Sequence, residues 1–436
     1  MKTINGFKDA KKIVDRSIHL DDSLDTSVSG QGGGQSIQDS VNAIIKDVRA
    51  NGDDALISYN MKFDLVKTEK LEVTRKEIDN AYREINARLL SDLKTAAIRI
   101  KRFHLSCMKS FEKGFEEKGI GRWIRPLNRV GIYVPGGTAA YPSTVLMTAV
   151  PAKVAGVNDI VMVSPPQKNG MIPAITLVAA DIAGVNRIFK TGGAQAIAAL
   201  AYGTKTIPKV DKICGPGNIY VAVAKKMVYG IVDIDGIQGP SEVIVVADDS
   251  AKPEYCAADL LAQAEHDSMA HAIFITDSVK LAGEVKKEIN RQLALSSRKN
   301  ILSKAIDDNC LIITVDNIKE AIELVNLYAP EHLLLMIRKA KSYLKKIKNV
   351  GCVFLGARSP VAIGDYVAGP SHVLPTGGTA RFTSALSVES FQKIINYVGL
   401  EKDEQRKLGK ATYNIAMAEG LTAHAEAVRI RFKNID

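Results

Sequence analysis

The sequence predicts an α/β protein with two doubly wound parallel-sheet domains, and three observations carry that prediction. Short apolar runs alternate with helical runs from Arg129 to Tyr229, the pattern of βαβ units. A second alternation runs from Ser241 to Thr314. Within the first block, strands end in turns of small residues: Gly136-Gly137, Gly192-Gly193 and Gly215-Pro216-Gly217. Both domains are therefore Rossmann-like. Neither contains a Gly-x-Gly-x-x-Gly fingerprint, so a dinucleotide must be held in another way.

Each element has a local reason. Ile37 to Tyr59 and Ile78 to Lys101 show helical periodicity. Arg129-Val-Gly-Ile-Tyr-Val-Pro-Gly-Gly reads as a buried strand entering a glycine turn, and Ser143 to Gly156 as an apolar helix with Ser143 at its N-cap. Asp159 to Ser164 is a strand, Pro173 to Gly184 a helix, Arg187 to Thr191 a strand and Ala194 to Tyr202 a helix. Lys212 to Cys214 and Asn218 to Tyr229 complete the block as strand and helix. Beyond it, Ser241 to Asp248, Ala272 to Thr276 and Cys310 to Thr314 read as strands, with helices over Glu254 to His266 and Val279 to Leu293. The domain expectation is an α/β domain, 129–240, inserted into a larger one formed by 27–128 and 241–386. Residues 1–26 and 387–436 are expected to be small helical tails without cores of their own.

Composition narrows the function classes. The chain has 436 residues, 46% of them hydrophobic, enough apolar mass for two ordinary cores. The first residues contain no apolar signal segment, and the longer apolar runs are broken well short of a bilayer span. Five scattered cysteines without a Cys-x-x-Cys pair argue against a disulfide framework and fit a reducing cytoplasm. The net charge of +10 raises a polyanion partner. Lys and Arg are nevertheless dispersed, and clusters such as Lys341 to Lys348 read as solvated helix faces, so neither nucleic acid nor membrane is expected as a partner.

The glycine turns fall at the carboxyl edge of the predicted sheet, where open α/β sheets bind ligands and helix N-termini hold phosphates. Tight turns alone would also explain each pair; three together favour a ligand edge.

Of seven histidines, four (His266, His332, His372 and His424) sit in runs dense in Gly, Pro, Asp and Glu. His266, His424 and Asp365 offer a mixed nitrogen and oxygen ligand set for Zn²⁺ with room for substrate. Gln263 and His266, at i and i+3 on a helix, would share one face, either as ligands or as a solvated polar surface. In Ala329-Pro-Glu-His, Pro330 suits a first helical position. Glu331 and His332 would then lie in the first turn, where the helix dipole keeps imidazole neutral. Glu331 there is either a dipole partner or a catalytic carboxylate. His19, His104 and His271 read as surface or packing residues, and Cys214 as a small buried strand residue rather than a nucleophile.

Eight runs in order carry a resemblance. They are Arg129-Val-Gly-Ile-Tyr-Val-Pro-Gly-Gly, Gly192-Gly-Ala-Gln-Ala-Ile-Ala, Gly215-Pro-Gly-Asn, Gly239-Pro-Ser-Glu, Gln263-Ala-Glu-His, Ala329-Pro-Glu-His, His372-Val-Leu-Pro-Thr and Glu419-Gly-Leu-Thr-Ala-His. From about Ile37 to Arg431 the chain resembles the histidinol dehydrogenases, zinc- and NAD-dependent enzymes of histidine biosynthesis. The resemblance implies a four-electron oxidation of L-histidinol to L-histidine through histidinaldehyde with two NAD. It implies one zinc per subunit on Gln263, His266, Asp365 and His424; Glu331 activating water and His332 as base; and Tyr133, Gln195 and Asn218 at the cofactor. Substrate would meet Ser241, His372 and Glu419 together with His332 and the zinc ligands, Glu419 pairing with the substrate amine. It also implies a homodimer in which the C-terminal tail reaches the partner. The alternatives are a related zinc and NAD polyol dehydrogenase, for example one acting on a sulfopropanediol, and a basic nucleic-acid-binding protein without catalysis. Glu419 and His372 argue against the first, and the complete ligand and base set against the second.

Overall fold

The structure, a computed structural model, describes residues 1–16, 36–110, 114–136 and 140–431. His19, Gly137 and the boundary expected at residue 26 lie outside the described residues. In chain order the strands are β1 (Lys2–Asn5), β2 (Gly114–Glu117), β3 (Ile120–Pro126), β4 (Arg129–Tyr133), β5 (Asp159–Ser164), β6 (Arg187–Lys190) and β7 (Lys212–Cys214). They continue with β8 (Asp233–Ile234), β9 (Glu242–Ala247), β10 (His271–Thr276), β11 (Cys310–Thr314), β12 (His332–Met336), β13 (Cys352–Leu355) and β14 (Gln392–Val398).

Five strands form a parallel sheet in the order β6-β5-β4-β7-β8, and six form another in the order β1-β11-β10-β9-β12-β13. Each runs outward from a first strand in both directions, the doubly wound arrangement expected. Their central strands are buried end to end because helices cover both faces, which is why they read as continuous apolar runs. Helix bounds shift by a residue or two from expectation for local reasons. Pro142, with its preset φ, occupies the first helical position of Pro142–Val154, so Ser143 lies inside rather than at the cap. The expected single helix from Ile78 splits into Arg75–Glu84 and Ala87–Ser110, because Ile85 is extended and the Asn86 side chain accepts the Leu89 N–H at 2.8 Å.

The expected partition needs correction at three places. Ile37–Tyr59 was assigned to the larger domain, but Val41, Ile44, Val48 and Leu56 pack with Ile197, Leu200 and Val221 against the five-stranded sheet. The N-terminal segment is more than a helical tail: β1 adds a strand beside β11, and Ala10 and Val14 are buried in the core of the six-stranded sheet. Both sheets belong to one compact unit, Met1–Cys107 with Leu127–Phe391. The smaller unit, Met108–Pro126 with Gln392–Asp436, is also more than a helical tail. In it β14, β3 and β2 form an antiparallel sheet, and Lys402–Ala418 and Thr422–Arg429 pair as a helical hairpin.

A candidate active site on two sheet edges

In the five-stranded sheet the winding direction reverses between β4 and β7, and the residues expected at the cofactor gather at the carboxyl ends of its strands. Tyr133 ends β4, and its buried hydroxyl accepts the Gly193 N–H at 3.1 Å. Burial pushes its phenol up to about 12, so it remains a neutral hydrogen-bonding group. Gln195 is buried with no partner for Oε1. Asn218 caps the helix Ile219–Val228 by accepting the Val221 N–H at 3.2 Å, which leaves its amide nitrogen for a ligand. Gly215 adopts φ +115°, and a Cβ there would collide with the Tyr133 carbonyl, so this turn requires glycine. Its N–H is held by Asp235 at 2.7 Å and its carbonyl by Lys225 at 3.1 Å.

The other group assembles beside the amino ends of β9 and β12, the opposite edge of the six-stranded sheet. At the carboxyl ends of these strands the exposed Arg338 guanidinium pairs with Asp249 at 2.6 Å, and the Arg338 main-chain N–H donates to Asp248 at 2.8 Å. Here the structure overturns the expected helix at Pro330. Tyr328 ends a helix, Ala329 turns left-handed at φ 56°, and His332 is the first residue of β12, paired in register with Val243. His332 therefore lies in a strand and not in the first turn of a helix. Burial opposes its protonation, but Glu331 and Asp365 outweigh it and hold His332 well above its usual value.

The main chain of one residue, Glu242, organises the pair. The Glu242 N–H donates to Glu331 Oε2 at 2.8 Å, and the Glu242 carbonyl, which can only accept, lies 3.1 Å from His332 Nδ1. That places a proton on Nδ1 and turns Nε2 toward Asp365 Oδ1, 3.5 Å away, with no hydrogen-bond partner among the described residues. Asp365 also lies 3.4 Å from the Gln263 amide. Burial would raise the Asp365 carboxyl, but His332, His372 and His266 together hold it below its usual range. His372 Nδ1 bonds the Asp365 carbonyl at 2.9 Å, while Nε2 faces Thr144 Oγ1 at 3.4 Å. His332, Asp365 and His372 line one cavity of about 310 Å³ with Ser371, Leu374 and Cys352.

Gln263 and His266 do not share a helical face as expected. The helix ends at Ala264, and the His266 N–H closes a tightened turn on the Gln263 carbonyl, leaving His266 exposed. Ser241 directly precedes β9 and is half-buried. Glu419 and His424 belong to the smaller unit, where both are exposed: Glu419 ends one helix of the hairpin and His424 lies in the next. Among the described residues no three His, Cys, Asp or Glu side chains form a metal cluster. Gln263, His266 and Asp365 nonetheless offer an amide, an imidazole and a carboxylate, a donor set that fits Zn²⁺ with a fourth ligand to come. Cys214 is buried and its thiol is pushed well up by burial, as its reading as a packing residue requires. Sequence reasoning missed Glu242, Thr144 and Cys352. Only Glu242 had a signal, as the last residue of Gly239-Pro-Ser-Glu.

Comparison with known proteins identifies the family. The histidinol dehydrogenase family model matches residues 30–432. A histidinol dehydrogenase of Dehalococcoides mccartyi (strain CBDB1) is 52% identical over 437 residues, covering 99% of this chain and all of its own. Another from Clostridium acetobutylicum is 52% identical across 90% of this chain and 92% of its own. The crystal structure of histidinol dehydrogenase from Elizabethkingia anophelis superimposes with a TM-score of 0.91 at 37% identity, covering 99% of this chain and 98% of that one. The chain belongs to the histidinol dehydrogenase family.

Proposed function

We propose that the protein oxidises L-histidinol to L-histidine through histidinaldehyde, using two NAD and one zinc per subunit. The observation that carries this reading is the Glu331–His332 pair, anchored on the Glu242 main chain with the free His332 nitrogen facing Asp365 in the cavity. Gln263, His266 and Asp365 would hold zinc, with His424 as fourth ligand. When bound, zinc supplies a Lewis acid for the substrate nitrogens, and NAD accepts one hydride in each oxidation. His332 Nε2 takes the hydroxyl proton of the alcohol and later that of the aldehyde hydrate. Asp365, once committed to a cation, no longer raises His332. Glu331 orients and deprotonates the water that adds to the aldehyde. Tyr133, Gln195 and Asn218 position the dinucleotide at their sheet edge, Ser241 and His372 orient the substrate, and Glu419 pairs with its amine.

The reading includes a cytoplasmic homodimer in which Glu419 and His424 serve the neighbouring subunit. Ile120 (48% exposed), Ile394 (49%) and Val398 (73%) share one face of its antiparallel sheet and give the smaller unit an apolar surface suited to pairing. Among the described residues no helix is long and apolar enough to cross a membrane. The test is NADH formation from L-histidinol by zinc-loaded enzyme, with the product identified by mass spectrometry. The expected outcome is two NADH per histidinol and histidine as sole product. Release of histidinaldehyde after one NADH, or turnover of a sulfonated polyol in its place, overturns the reading.

A further inference from the structure

The residue whose main chain anchors Glu331 and His332 is itself held from a distant part of the chain. The Glu242 side chain is only 4% exposed, and its Oε1 accepts from Arg16 Nη2 at 2.6 Å and from the Gly377 N–H at 3.2 Å. Arg16 follows the N-terminal helix Phe7–Val14. Its guanidinium lies 3.7 Å over the Tyr328 ring, and Nη2 also donates to the Tyr328 hydroxyl at 2.6 Å. Tyr328 is the last helical residue before the Ala329 turn that delivers Glu331 and His332 into β12. One cation therefore fixes both sides of the catalytic pair: the start of β9 through Glu242, and the approach to β12 through Tyr328.

The charges make the arrangement dependent on Arg16. Glu242 and Glu331 are both buried, and burial together with the Glu331 carboxyl holds Glu242 above its usual range. Arg16 is the cation in contact with Glu242. Without it, Glu242 must protonate or seek water, and either response moves its own main chain, the group to which Glu331 and His332 are bonded. The contact is single among the described residues, where Arg16 Nη1 and Glu242 Oε2 have no hydrogen-bond partners. A lysine ammonium can reproduce that one bond, but it cannot stack on Tyr328 as a planar guanidinium does.

We propose that Arg16, acting through Glu242 and Tyr328, is a positioning residue for the Glu331–His332 pair. The inference rests on the reading of that pair as catalytic. A displacement of about 1 Å at a reacting group costs up to roughly 10²-fold in rate. Replacing Arg16 should therefore lower kcat while leaving the KM for L-histidinol and the zinc content near wild type, because it touches neither Gln263, His266 nor Asp365.

The experiment measures single-turnover NADH formation, steady-state constants, zinc content and thermal midpoint for R16M, R16K, E242Q and H332N, all zinc-loaded. The expected result for R16M is a fall in kcat of about 10- to 100-fold with KM within about threefold. R16K should recover at least about a third of the lost rate on a logarithmic scale. E242Q keeps the hydrogen-bonding shape and should lose less than R16M, so it serves as the second test if R16M folds poorly. A loss of thermal stability in R16M with unchanged kcat overturns the inference and leaves Arg16 structural. A rise in KM with unchanged kcat also overturns it. If H332N itself turns over normally, the catalytic reading of the pair has failed, and that failure is distinct from one confined to Arg16.

Discussion

Lys225 offers the sharpest test of how the cofactor edge is built. Its side chain and that of Asp235 are each 1% exposed, and the pair is isolated from water. Lys225 Nζ bonds Asp235 Oδ1, Gln238 Oε1 at 2.7 Å and the Gly215 carbonyl at 3.1 Å. In Lys225→Met the helix keeps its volume, but Asp235 is left as a buried carboxylate whose remaining hydrogen bond is the Gly215 N–H. Breaking one side of a buried pair costs about 3–5 kcal/mol. The thermal midpoint should fall by roughly 4–6 °C for a unit of this size. Replacing both partners, Lys225→Met with Asp235→Leu, removes the stranded charge and, relative to the single variant, costs only the Gly215 N–H its acceptor, about 1–3 kcal/mol. The double variant should therefore be more stable than the single one. Because Gly215 leads into Asn218, the single variant should also raise the KM for NAD while leaving that for L-histidinol near wild type. Circular-dichroism melting and steady-state kinetics read both effects. A midpoint within about 2 °C of wild type in Lys225→Met, or a double variant no better than the single, would refute the argument.

Four further outcomes are expected. His266→Ala and Asp365→Ala should each lose zinc and turnover while melting normally, since an open ligand site need not hold its domain together; full zinc occupancy by metal analysis would rule out the assignment. His332→Asn should slow both oxidations by roughly 10²-fold or more, whereas Glu331→Gln should mainly slow histidinaldehyde oxidation, the step that consumes water. Equal losses in the Glu331 variant contradict that division. Burial lowers His104 to about 4, and both its ring nitrogens lack partners, so its contribution to stability is complete above pH 6.5 and is lost as pH falls toward 4. That amounts to about 2 kcal/mol between pH 7 and pH 5, and His104→Leu should flatten the curve; an unchanged pH dependence in urea unfolding refutes it. A mixture of inactive His266→Ala and His424→Ala proteins should regain activity once subunits exchange, because a two-fold dimer with shared sites then holds one intact site. No recovery, with exchange confirmed by native mass spectrometry, places His424 in its own subunit's pocket.

Sequence by itself determined the class of element along most of the unit that carries both sheets. Strands buried on both faces are continuous apolar runs, and β5, β7 and β11 begin and end at the residues their patterns imply. It also singled out His332, Asp365 and His372, which one cavity brings together, because the ordered runs that hold them carry chemistry in their residue types. Local pattern could not decide Pro330. A proline suits both a first helical turn and the entry to a strand, and the outcome depends on β12 pairing with β9, some ninety residues away. The same pairing turned an expected neutral imidazole into one raised by two carboxylates. It likewise decided that the Glu242 main chain, rather than a side chain, holds Glu331 and His332. Only tertiary structure laid Ile37–Tyr59 on the five-stranded sheet and brought Arg16 onto Tyr328, 312 positions distant. An amphipathic face states that it will be covered, and a charge that it will be paired, but the partner is chosen by the winding of the sheets between them.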